Sequence, residues 1–384
     1  MENPVFQPIR AKTKDLFDFH VKLTEKQTAN SLLNSNEMNC GKTQLQSCPR
    51  RIVFELTNAC NLRCKMCGRN DADFILTSFK NAWIDQFESV LDTVEEVTLM
   101  GWGEPTMHPE FVDILKHLNQ YPVRKYFCTN GQKLLNENLF NAIFDYKVDI
   151  MAVSLDGANA DTNNAIRGKG FNNIVNGLKQ IVQRRKTKNS DSQQLPYINF
   201  VFTAMKHNLR EIPDVIRLAH EIGIEEVKVV FLTAFSPIME EEILFNRPDE
   251  VREIFDEAIR TASSLQIRLK LPHIQGNDPA GNNNHKPCFT AWRDLFIGSD
   301  GYVRPCMSTP IKFFHIDECN NFESMWNHPS YKYFRNIINN PDHEPDSCKH
   351  CYQSSCANWN RQHAFVQTGL QFSPEWKKTT NEIL

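Results

Sequence analysis

Three cysteines stand close together in the sequence, directly after a short apolar run. Cys60, Cys64 and Cys67 lie within one eight-residue stretch that follows the run 51–57. Three thiolates on one loop are able to bind three irons of a cubane [4Fe–4S] cluster, which has four corners. The fourth iron then stays open to a ligand that is not a protein side chain. The spacing therefore predicts a cluster-binding loop with one exchangeable corner.

Two alternatives for these thiols are a zinc knuckle and three buried cysteines without a metal. Structural zinc takes four ligands, commonly from C-x-x-C pairs, and the sequence around these cysteines offers no fourth partner. The chain holds twelve cysteines and begins without a basic and apolar signal segment. We therefore expect metal or redox use of the cysteines rather than disulfides, in a cytoplasmic protein.

The spacing C-x-x-x-C-x-x-C, with the apolar Met66 before its last cysteine, resembles the signature of the radical S-adenosylmethionine (radical SAM) superfamily. In that family the amino and carboxylate groups of S-adenosylmethionine (SAM) chelate the open iron. The reduced cluster then splits SAM and releases a 5′-deoxyadenosyl radical. The resemblance implies a SAM-binding [4Fe–4S] cluster, SAM itself, and removal of a hydrogen atom from a substrate.

Strands and helices alternate along the part of the chain that must position this loop. Six alternations predict right-handed crossovers and a parallel sheet, but they are too few for a closed eight-stranded barrel. The expected fold is therefore α/β, a partial (β/α)6 radical SAM barrel followed by a small α+β auxiliary-cluster domain. The predicted strands are Arg51–Thr57, Glu96–Met100, Val123–Cys128, Val148–Ser154, Ile198–Thr203 and Glu226–Leu232. The predicted helices are Ser78–Thr93, Pro109–Gln120, Asn136–Asp145, Phe171–Lys186, Glu211–Ile222 and Pro248–Leu265.

A glycine-rich motif follows the second predicted strand, at the edge where parallel barrels gather their chemistry. Gly101 and Gly103 let the backbone approach a ligand closely, and Glu104 is able to accept hydrogen bonds from an ammonium group. The motif resembles the Gly-Gly-Glu-Pro sequence of the family, which holds the methionyl amine, with Trp102 inserted between the glycines. Taken alone, such a turn is usually only a loop.

Further polar motifs follow the third and fourth predicted strands. The resemblance implies that Ser154 and Arg167 bind the carboxylate or ribose of SAM, and the planar fork of arginine suits a carboxylate. Each motif alone is consistent with a simple turn, but together they follow the strands in the order that the family shows. The predicted cofactor-binding residues are Gly101, Gly103, Glu104, Thr129, Asn130, Ser154, Asp156 and Arg167, and no catalytic side chain is assigned.

A second group of cysteines lies beyond a loop rich in Asn, Gly and Pro. Segment 292–297, a turn at 298–301 and residues 302–303 predict a β-hairpin that brings Cys288 and Cys306 together at its open end. Farther on come the C-x-x-C pair and a fifth thiol, at Cys348, Cys351 and Cys356. Two thiols and a C-x-x-C pair are also typical of a zinc ribbon.

The order C-x17-C, containing G-x4-C, and then C-x-x-C resembles the SPASM/twitch extensions of radical SAM enzymes. A full SPASM domain binds two auxiliary clusters with about seven cysteines, whereas this region offers five on pattern. The resemblance therefore favours the shorter, twitch-like arrangement with one auxiliary [4Fe–4S] cluster that faces the barrel mouth. Its predicted ligands are Cys288, Cys306, Cys348 and Cys351, with Cys356 as an alternative fourth ligand.

The chain has 384 residues, so we expect several domains. An irregular amino-terminal extension at 1–50 precedes the barrel at 51–235. A linker helix and loop at 236–287, the auxiliary-cluster domain at 288–360 and a tail at 361–384 follow. The net charge of −3 gives no basic excess for nucleic acid, and no apolar run is long enough for a membrane span.

The resemblance implies a radical SAM oxidoreductase. We expect a net oxidation in which the auxiliary cluster accepts the second electron, on a small-molecule or peptide substrate. The expected redox partner is a one-electron donor such as flavodoxin or ferredoxin. Alternatives are a peptide maturase that forms crosslinks or epimerises residues, and a non-catalytic iron–sulfur protein. Peptide-modifying relatives often carry an amino-terminal winged helix, and the polar residues 1–50 do not resemble one. This favours a small molecule or a single, tightly localised side chain as the substrate.

Overall fold

The structure is a computed structural model that describes residues 22–70, 75–188, 196–232, 237–244, 246–272, 288–306, 309, 311–340 and 342–348. The strands are β1 Arg51–Phe54, β2 Glu96–Leu99, β3 Arg124–Thr129, β4 Ile150–Ser154, β5 Tyr197–Ala204, β6 Glu226–Phe231, β7 Arg268–Lys270, β8 Asp294–Ile297, β9 Tyr302–Arg304 and β10 Phe314–His315. The helices are α1 Glu25–Asn39, α2 Glu88–Leu91, α3 Phe111–Leu118, α4 Glu137–Asp145, α5 Ala160–Arg167, α6 Phe171–Lys188, α7 Ile212–Ile222, α8 Pro248–Leu265, α9 Thr290–Arg293, α10 Phe322–Trp326 and α11 Pro329–Ile337.

The ten strands form one sheet in the order β10-β9-β8-β1-β2-β3-β4-β5-β6-β7. Strands β1 to β6 are neighbours in chain order and pair in parallel, which confirms the predicted α/β fold with a partial (β/α)6 barrel. Strand β7 adds a further parallel strand at the far edge of the sheet. All six predicted strands are present, with ends within three residues of those expected.

The two faces of the sheet differ in chemistry. Phe127 of β3 packs on Phe111 of α3, with ring centroids 5.3 Å apart, so Tyr126 and Cys128 point to the opposite face, inside the barrel. The outer face forms the apolar core against the helices, whereas the interior face carries polar residues. For example, the hydroxyl of Thr98 donates to Glu96 at 2.6 Å. The interior is therefore suited to a polar substrate.

The predicted carboxyl-terminal hairpin is confirmed as β8 and β9, with Phe296 opposite Arg304. Strand β8 also lies parallel to β1, in a register from Arg51 opposite Asp294 to Phe54 opposite Ile297. The hairpin thus continues the sheet of the barrel. Its turn, residues 298–301, lies at the carboxyl end of β1, and its open end lies at the amino end.

The prediction that residues 1–50 are irregular is wrong for α1. Its buried positions recur at helical spacing but are all polar, namely Gln27, Asn30, Asn34 and Glu37. The Gln27 amide donates to the carbonyl of Val94 at 2.9 Å, and the Asn34 amide donates to that of Trp292 at 2.7 Å. Hydropathy did not reveal the helix because three amides and a carboxylate, rather than apolar groups, line its buried face.

The predicted helix over 78–93 also differs from the structure. Residues Asn81–Phe87 form a 3-10 helix that leads into the short α2. The remaining predicted helices agree with the structure within two residues at each end. Among the described residues, no helix is both long and apolar enough to cross a membrane.

Candidate functional site

The three clustered cysteines lie on the loop after β1, and backbone turns fix their spacing. Cys64 is buried, and Cys60 and Cys67 are half-buried. The backbone N–H of Leu62 points at the Cys60 sulfur, 3.4 Å away, and that of Cys67 donates to the Cys64 carbonyl at 3.0 Å. The Asn70 amide donates to the same carbonyl at 2.7 Å. The loop therefore presents three thiols on a backbone that is already folded.

The electrostatics of these thiols call for a cationic partner. Burial raises the pKa of the Cys64 thiol to about 11 and also raises that of Cys67. Thiolates are the form that binds a metal, so a positively charged group must displace these protons. Iron in a cluster supplies that charge. The donor set thus fits an iron–sulfur cluster.

Gly103 allows the loop after β2 to pack against the loop of the cysteines. A Cβ atom at this position would lie 2.2 Å from the carbonyl oxygen of Thr57 and 2.4 Å from that of Ala59. The next residue, Glu104, donates its backbone N–H to the Ala59 carbonyl at 2.8 Å. Only glycine permits this approach.

The Glu104 carboxylate joins the loops after β2 and β3. Its Oε1 accepts the hydroxyls of Thr106 at 2.6 Å and Thr129 at 2.8 Å, and its Oε2 accepts the backbone N–H of Asn130 at 2.6 Å. Burial raises the pKa of this carboxyl, and the hydrogen bonds oppose the shift. Oε1 also accepts the Thr106 N–H at 3.2 Å, so Oε2 has the greater spare capacity for another donor.

Asn130 extends this connection to the cysteine loop. Its side-chain amide donates to Oδ1 of Asn61 at 2.7 Å and lies 3.6 Å from the sulfur of Cys60. The loops that follow β1, β2 and β3 therefore meet at one place, as expected for the carboxyl ends of neighbouring parallel strands.

Asp156 and Arg167 form a buried ion pair, with Nε and Oδ2 2.6 Å apart. Burial raises the pKa of the Asp156 carboxyl, although Arg167 opposes the shift. Burial would lower the pKa of Arg167, yet the attraction of Asp156 outweighs it and raises that pKa. The Cys64 thiol lies 3.7 Å from the carbonyl of Arg167, so this pair adjoins the cysteine loop. Ser154 ends β4 nearby, opposite Val201.

Sequence reasoning missed Glu55, one residue beyond β1. Its Oε1 accepts the backbone N–H of Trp102 at 2.7 Å. Its Oε2 accepts both the N–H, at 3.1 Å, and the hydroxyl, at 2.9 Å, of Ser299 in the hairpin turn. The available signal was an acidic residue within the mostly apolar run 51–57. Side chains alternate between the two faces of a strand, and Glu55 is on the face that points into the barrel.

The described carboxyl-terminal cysteines lie around the open end of the hairpin. Burial raises the pKa of the Tyr331 phenol and Arg335 opposes the shift, while Asp294, Cys306 and Cys288 add to the rise. The Cys288 sulfur lies 3.1 Å from the hydroxyl of Thr290. Cys288 precedes β8 and Cys306 follows β9, so both lie at the open end of the hairpin, and their meeting there stays a prediction.

Cys348 reaches the same region through its neighbour in the chain. The hydroxyl of Ser347, the preceding residue, lies 3.0 Å from that of Thr309, three residues after Cys306. Within the described ranges, no three His, Cys, Asp or Glu side chains are grouped tightly enough for a single metal ion. Cys351 and Cys356 lie outside the described residues.

The expectation that the auxiliary site faces the barrel mouth is wrong for Cys288 and Cys306. The hairpin turn lies at the mouth, whereas these cysteines precede β8 and follow β9 at the opposite end. Cys306 is the fifth residue after Gly301 of the turn, which corresponds to about 16 Å of extended chain at ~3.3 Å per residue. The two groups of cysteines therefore lie toward opposite ends of one hairpin.

Two family models match the chain. Residues 54–191 match the radical SAM superfamily, and residues 288–352 match the iron–sulfur cluster-binding domain called SPASM. The first match contains the cysteine loop and the motifs after β2, β3 and β4. The second contains the hairpin and the four predicted auxiliary ligands, Cys288, Cys306, Cys348 and Cys351.

The chain is also similar to individual proteins. It is 27% identical to the AdoMet-dependent heme synthase of Methanosarcina barkeri, over 85% of this chain and 95% of that protein. It is 34% identical to the mycofactocin maturase MftC of Mycobacterium tuberculosis, over 35% of this chain and 34% of that one. Its fold resembles Streptococcus suis SuiB bound to the precursor peptide SuiA, with a TM-score of 0.62 at 15% identity, over 91% of this chain and 78% of SuiB.

Proposed function

Because the chain belongs to the radical SAM superfamily and carries a SPASM domain, we propose that it catalyses a net two-electron oxidation of its substrate. The family fixes the cofactors as a [4Fe–4S] cluster, SAM and auxiliary iron–sulfur. Together they supply a 5′-deoxyadenosyl radical when bound. The chain is thus an enzyme, and the non-catalytic alternative is set aside.

In this proposal Cys60, Cys64 and Cys67 bind the first cluster, and the loops beside them bind SAM. Oε2 of Glu104 accepts a hydrogen bond from the methionyl ammonium group, since it has the spare capacity. Gly101 and Gly103 let the backbone come close to that group. These assignments rest on the meeting of the loops after β1, β2 and β3 around Asn130.

The loops after β3 and β4 and the carboxyl end of α5 complete the proposed SAM site. Arg167, oriented by Asp156, faces the carboxylate or ribose of SAM, with Ser154 as a second donor. Thr129 and Asn130 hold Glu104 in place. The proposed ligands of one twitch-like auxiliary cluster are Cys288, Cys306, Cys348 and Cys351.

The observation that best supports a net oxidation is the hairpin that connects the two groups of cysteines. Its turn touches the proposed SAM loop through Glu55, and its open end carries Cys288 and Cys306. An electron acceptor is thereby held at a fixed separation from the site where hydrogen is removed. A net oxidation requires such an acceptor for the second electron of the substrate.

The oxidation balances without an external oxidant. With SAM and the auxiliary cluster bound, the substrate would lose one hydrogen atom to the 5′ carbon, then one proton to solvent and one electron to the auxiliary cluster. That electron replaces the one spent on cleaving SAM. The chain's own contribution is to orient SAM, exclude water and keep the interior polar.

The test is the stoichiometry of the holoenzyme with its substrate. We expect 5′-deoxyadenosine and oxidised product in equal amounts, with SAM consumed rather than regenerated. Product made in deuterated water should carry no solvent deuterium at the reacting carbon. A mass gain of one unit on an otherwise unchanged substrate contradicts the oxidation and supports the second candidate.

That second candidate is a peptide maturase that returns a hydrogen atom to the substrate, as in epimerisation. Cys128 favours it, because its thiol lies inside the barrel, 3.4 Å from the hydroxyl of Tyr126. Burial raises the pKa of this thiol, which keeps its S–H hydrogen. Donation of that hydrogen leaves a thiyl radical that regains an electron from the redox partner and a proton from solvent. Similarity to MftC, a maturase, and the SuiB fold suit a peptide substrate.

The proposed redox partner is a small acidic one-electron carrier such as flavodoxin or ferredoxin, in the cytoplasm, where thiols stay reduced. Loop 57–70 carries three basic residues and no acidic one, in a chain of net charge −3. Two of them, Arg63 and Lys65, are exposed beside the cysteines. Such a surface steers an acidic protein toward the cluster.

Arg63→Glu with Lys65→Glu should slow SAM cleavage supported by reduced flavodoxin about tenfold and leave cleavage by dithionite unchanged. Dithionite is a small reductant that needs no docking surface. The matched control is Lys116→Glu with Lys186→Glu, the same charge change at exposed positions on outer helices. An equal loss with both reductants contradicts the docking role.

A further inference from the structure

We propose that Glu55 is a positioning residue that makes SAM binding depend on the carboxyl-terminal hairpin. The inference rests on the proposed SAM role of the loop 101–104 and adds a residue from outside the family motifs. Glu55 does not touch the cysteines. It acts through the loop that the glycines form.

Glu55 is 6% exposed, and its carboxylate lies between two segments that are far apart in the chain. One oxygen accepts the N–H of Trp102, at the centre of the glycine motif. The other accepts two donors from Ser299, which is 244 residues away in the hairpin turn. One side chain thus joins the barrel loop to the carboxyl-terminal region.

The fit around Glu55 on the barrel side is tight. A Cβ atom at Gly101 would lie 2.3 Å from Cγ and 2.4 Å from Oε1 of Glu55. The backbone at Gly101 therefore rests on the side chain of Glu55. A shift of that side chain moves the loop with it.

The displacement would pass on to the cysteine loop. Two residues after Trp102, the Glu104 backbone donates to Ala59, and its carboxylate holds Asn130. Asn130 in turn contacts Cys60. Glu55 is thus the first member of a continuous series of contacts that ends at the proposed cluster.

The hairpin side is held equally firmly. The Ser299 hydroxyl lies 2.7 Å from that of Thr77, and the Thr77 backbone N–H donates to the side chain of Asn58 at 2.7 Å. The backbone N–H of Glu55 donates to the carbonyl of Ile297 at the end of β8 at 2.9 Å. The turn is therefore a fixed support for the carboxylate.

A carboxylate is the group that this position needs. Three donors point at Glu55, two from backbone and one from a hydroxyl, and a carboxylate accepts all of them. A glutamine offers one oxygen and one NH2 group, so in the same pose it meets a backbone N–H with another donor. We therefore expect Glu55→Gln to release one of the two segments.

The experiment measures SAM affinity of the reconstituted holoenzyme under anaerobic conditions, normalised to iron content. Glu55→Gln should weaken SAM binding about tenfold, which is the effect of losing a hydrogen bond to a charged group. It should also reduce the change that SAM causes in the electron paramagnetic resonance spectrum of the reduced cluster. Ser299→Ala removes only one of the three donors and should weaken binding about threefold.

Two further variants make the outcome unambiguous. Thr77→Val removes the other partner of the Ser299 hydroxyl but no contact of Glu55, so it should weaken SAM binding less than Ser299→Ala does. Glu104→Gln tests the loop itself. If Glu104→Gln weakens SAM binding and Glu55→Gln does not, the positioning role is wrong while the SAM site stands.

Unchanged affinity in both Glu104→Gln and Glu55→Gln removes the premise, because the loop then does not bind SAM. If Glu55→Gln fails to load iron, Ser299→Ala decides the question. Wild-type affinity in Ser299→Ala at full iron content then overturns the inference.

Discussion

The two ends of the hairpin are built in different ways. At the turn, side chains such as Glu55, Glu104 and Asn130 connect one loop to the next through short hydrogen bonds. At the open end, aromatic rings pack closely, as do Phe313 and Tyr331 with centroids 4.8 Å apart. A binding site made of loops needs hydrogen bonds between the loops to fix its shape. A site on packed helices and strands is held in shape by the packing of the core.

The buried Arg335 illustrates the second kind of construction. It donates to the backbone carbonyls of Ala291 at 2.9 Å, Thr43 at 2.9 Å and Trp326 at 3.0 Å. Its guanidinium also lies 4.4 Å from the ring centroid of Trp326. We therefore expect substitutions at the turn to change ligand binding, and substitutions at the open end to change stability.

The largest effect should follow removal of the first cysteine group. Replacement of Cys60, Cys64 and Cys67 by alanine should abolish formation of 5′-deoxyadenosine, because no cluster remains to bind SAM. About half of the iron should persist, since a second cubane would keep about four irons. Iron analysis and chromatography of the products measure both. Cys40→Ala, at an exposed cysteine, is the control and should keep full activity.

Removal of the second group should separate SAM cleavage from product formation. Cys306→Ala with Cys348→Ala should lower oxidised product at least a hundredfold and leave SAM cleavage nearly intact. The reason is that the substrate radical then has no acceptor for its electron. Product and 5′-deoxyadenosine are quantified in the same reaction. Equal losses of both would contradict the separate roles of the two ends.

Acid should loosen the open end of the hairpin through Asp294. Burial acts to raise the pKa of this carboxyl, but Arg293 and Arg51 outweigh it and lower the pKa to about 2. The folded pKa is below the unfolded value of about 3.9, so the carboxylate stabilises the fold above pH ~4. That contribution, about 2 kcal/mol, is lost as the pH falls from about 4 to about 2.

Asp294→Asn should therefore lower the free energy of unfolding by about 2 kcal/mol or more at pH 7, and show less acid dependence between pH 4 and 2. Urea unfolding of iron-free protein at several pH values measures both. Asp249→Asn, at an exposed acid paired with Arg252, should change stability by no more than about 0.5 kcal/mol. Identical pH profiles for wild type and Asp294→Asn would refute the account.

The smallest effect concerns α1, which supports the open end from outside the barrel. Asn34→Ala removes the donors to Trp292 and Ser47 and should cost about 1–2 kcal/mol of stability, with SAM binding unaffected. Asn36→Ala is the matched control, because Asn36 is exposed on the same helix. Urea midpoints compare the two. Equal stability of both variants would show that the buried amide contributes nothing.

Sequence patterns predicted the features that depend on residues close together in the chain. Each strand from β1 to β6 is a short segment with apolar residues on its helix-facing side, and the cysteine spacing around Cys64 lies within eight residues. Helix α1 was missed because its buried face consists of polar side chains, and hydropathy does not distinguish these from exposed polar side chains. Residues 81–87 were predicted as α-helix because a 3-10 helix shares much of that apolar spacing.

The contacts that escaped prediction are those between distant segments. Glu55 and Ser299 are 244 residues apart, and nothing local indicates that β8 pairs with β1. The sequence placed Cys288 and Cys306 at the open end of the hairpin but did not show which end of the barrel that open end adjoins. That end follows from the parallel register of Asp294 with Arg51, which only the structure reveals.

The length of the hairpin strands also sets the distance between the turn and the auxiliary cysteines, and it does so in steps of whole residues. Side chains alternate faces along a strand, so inserting one residue between Gly301 and Cys306 would turn every later side chain to the other face. An insertion of two residues restores the faces and adds about 6.6 Å between the turn and the cysteine. Matched insertions in β8 would be needed to keep the pairing. In homologues and in engineered variants, the distance between the two cofactors should therefore change in steps of two residues per strand.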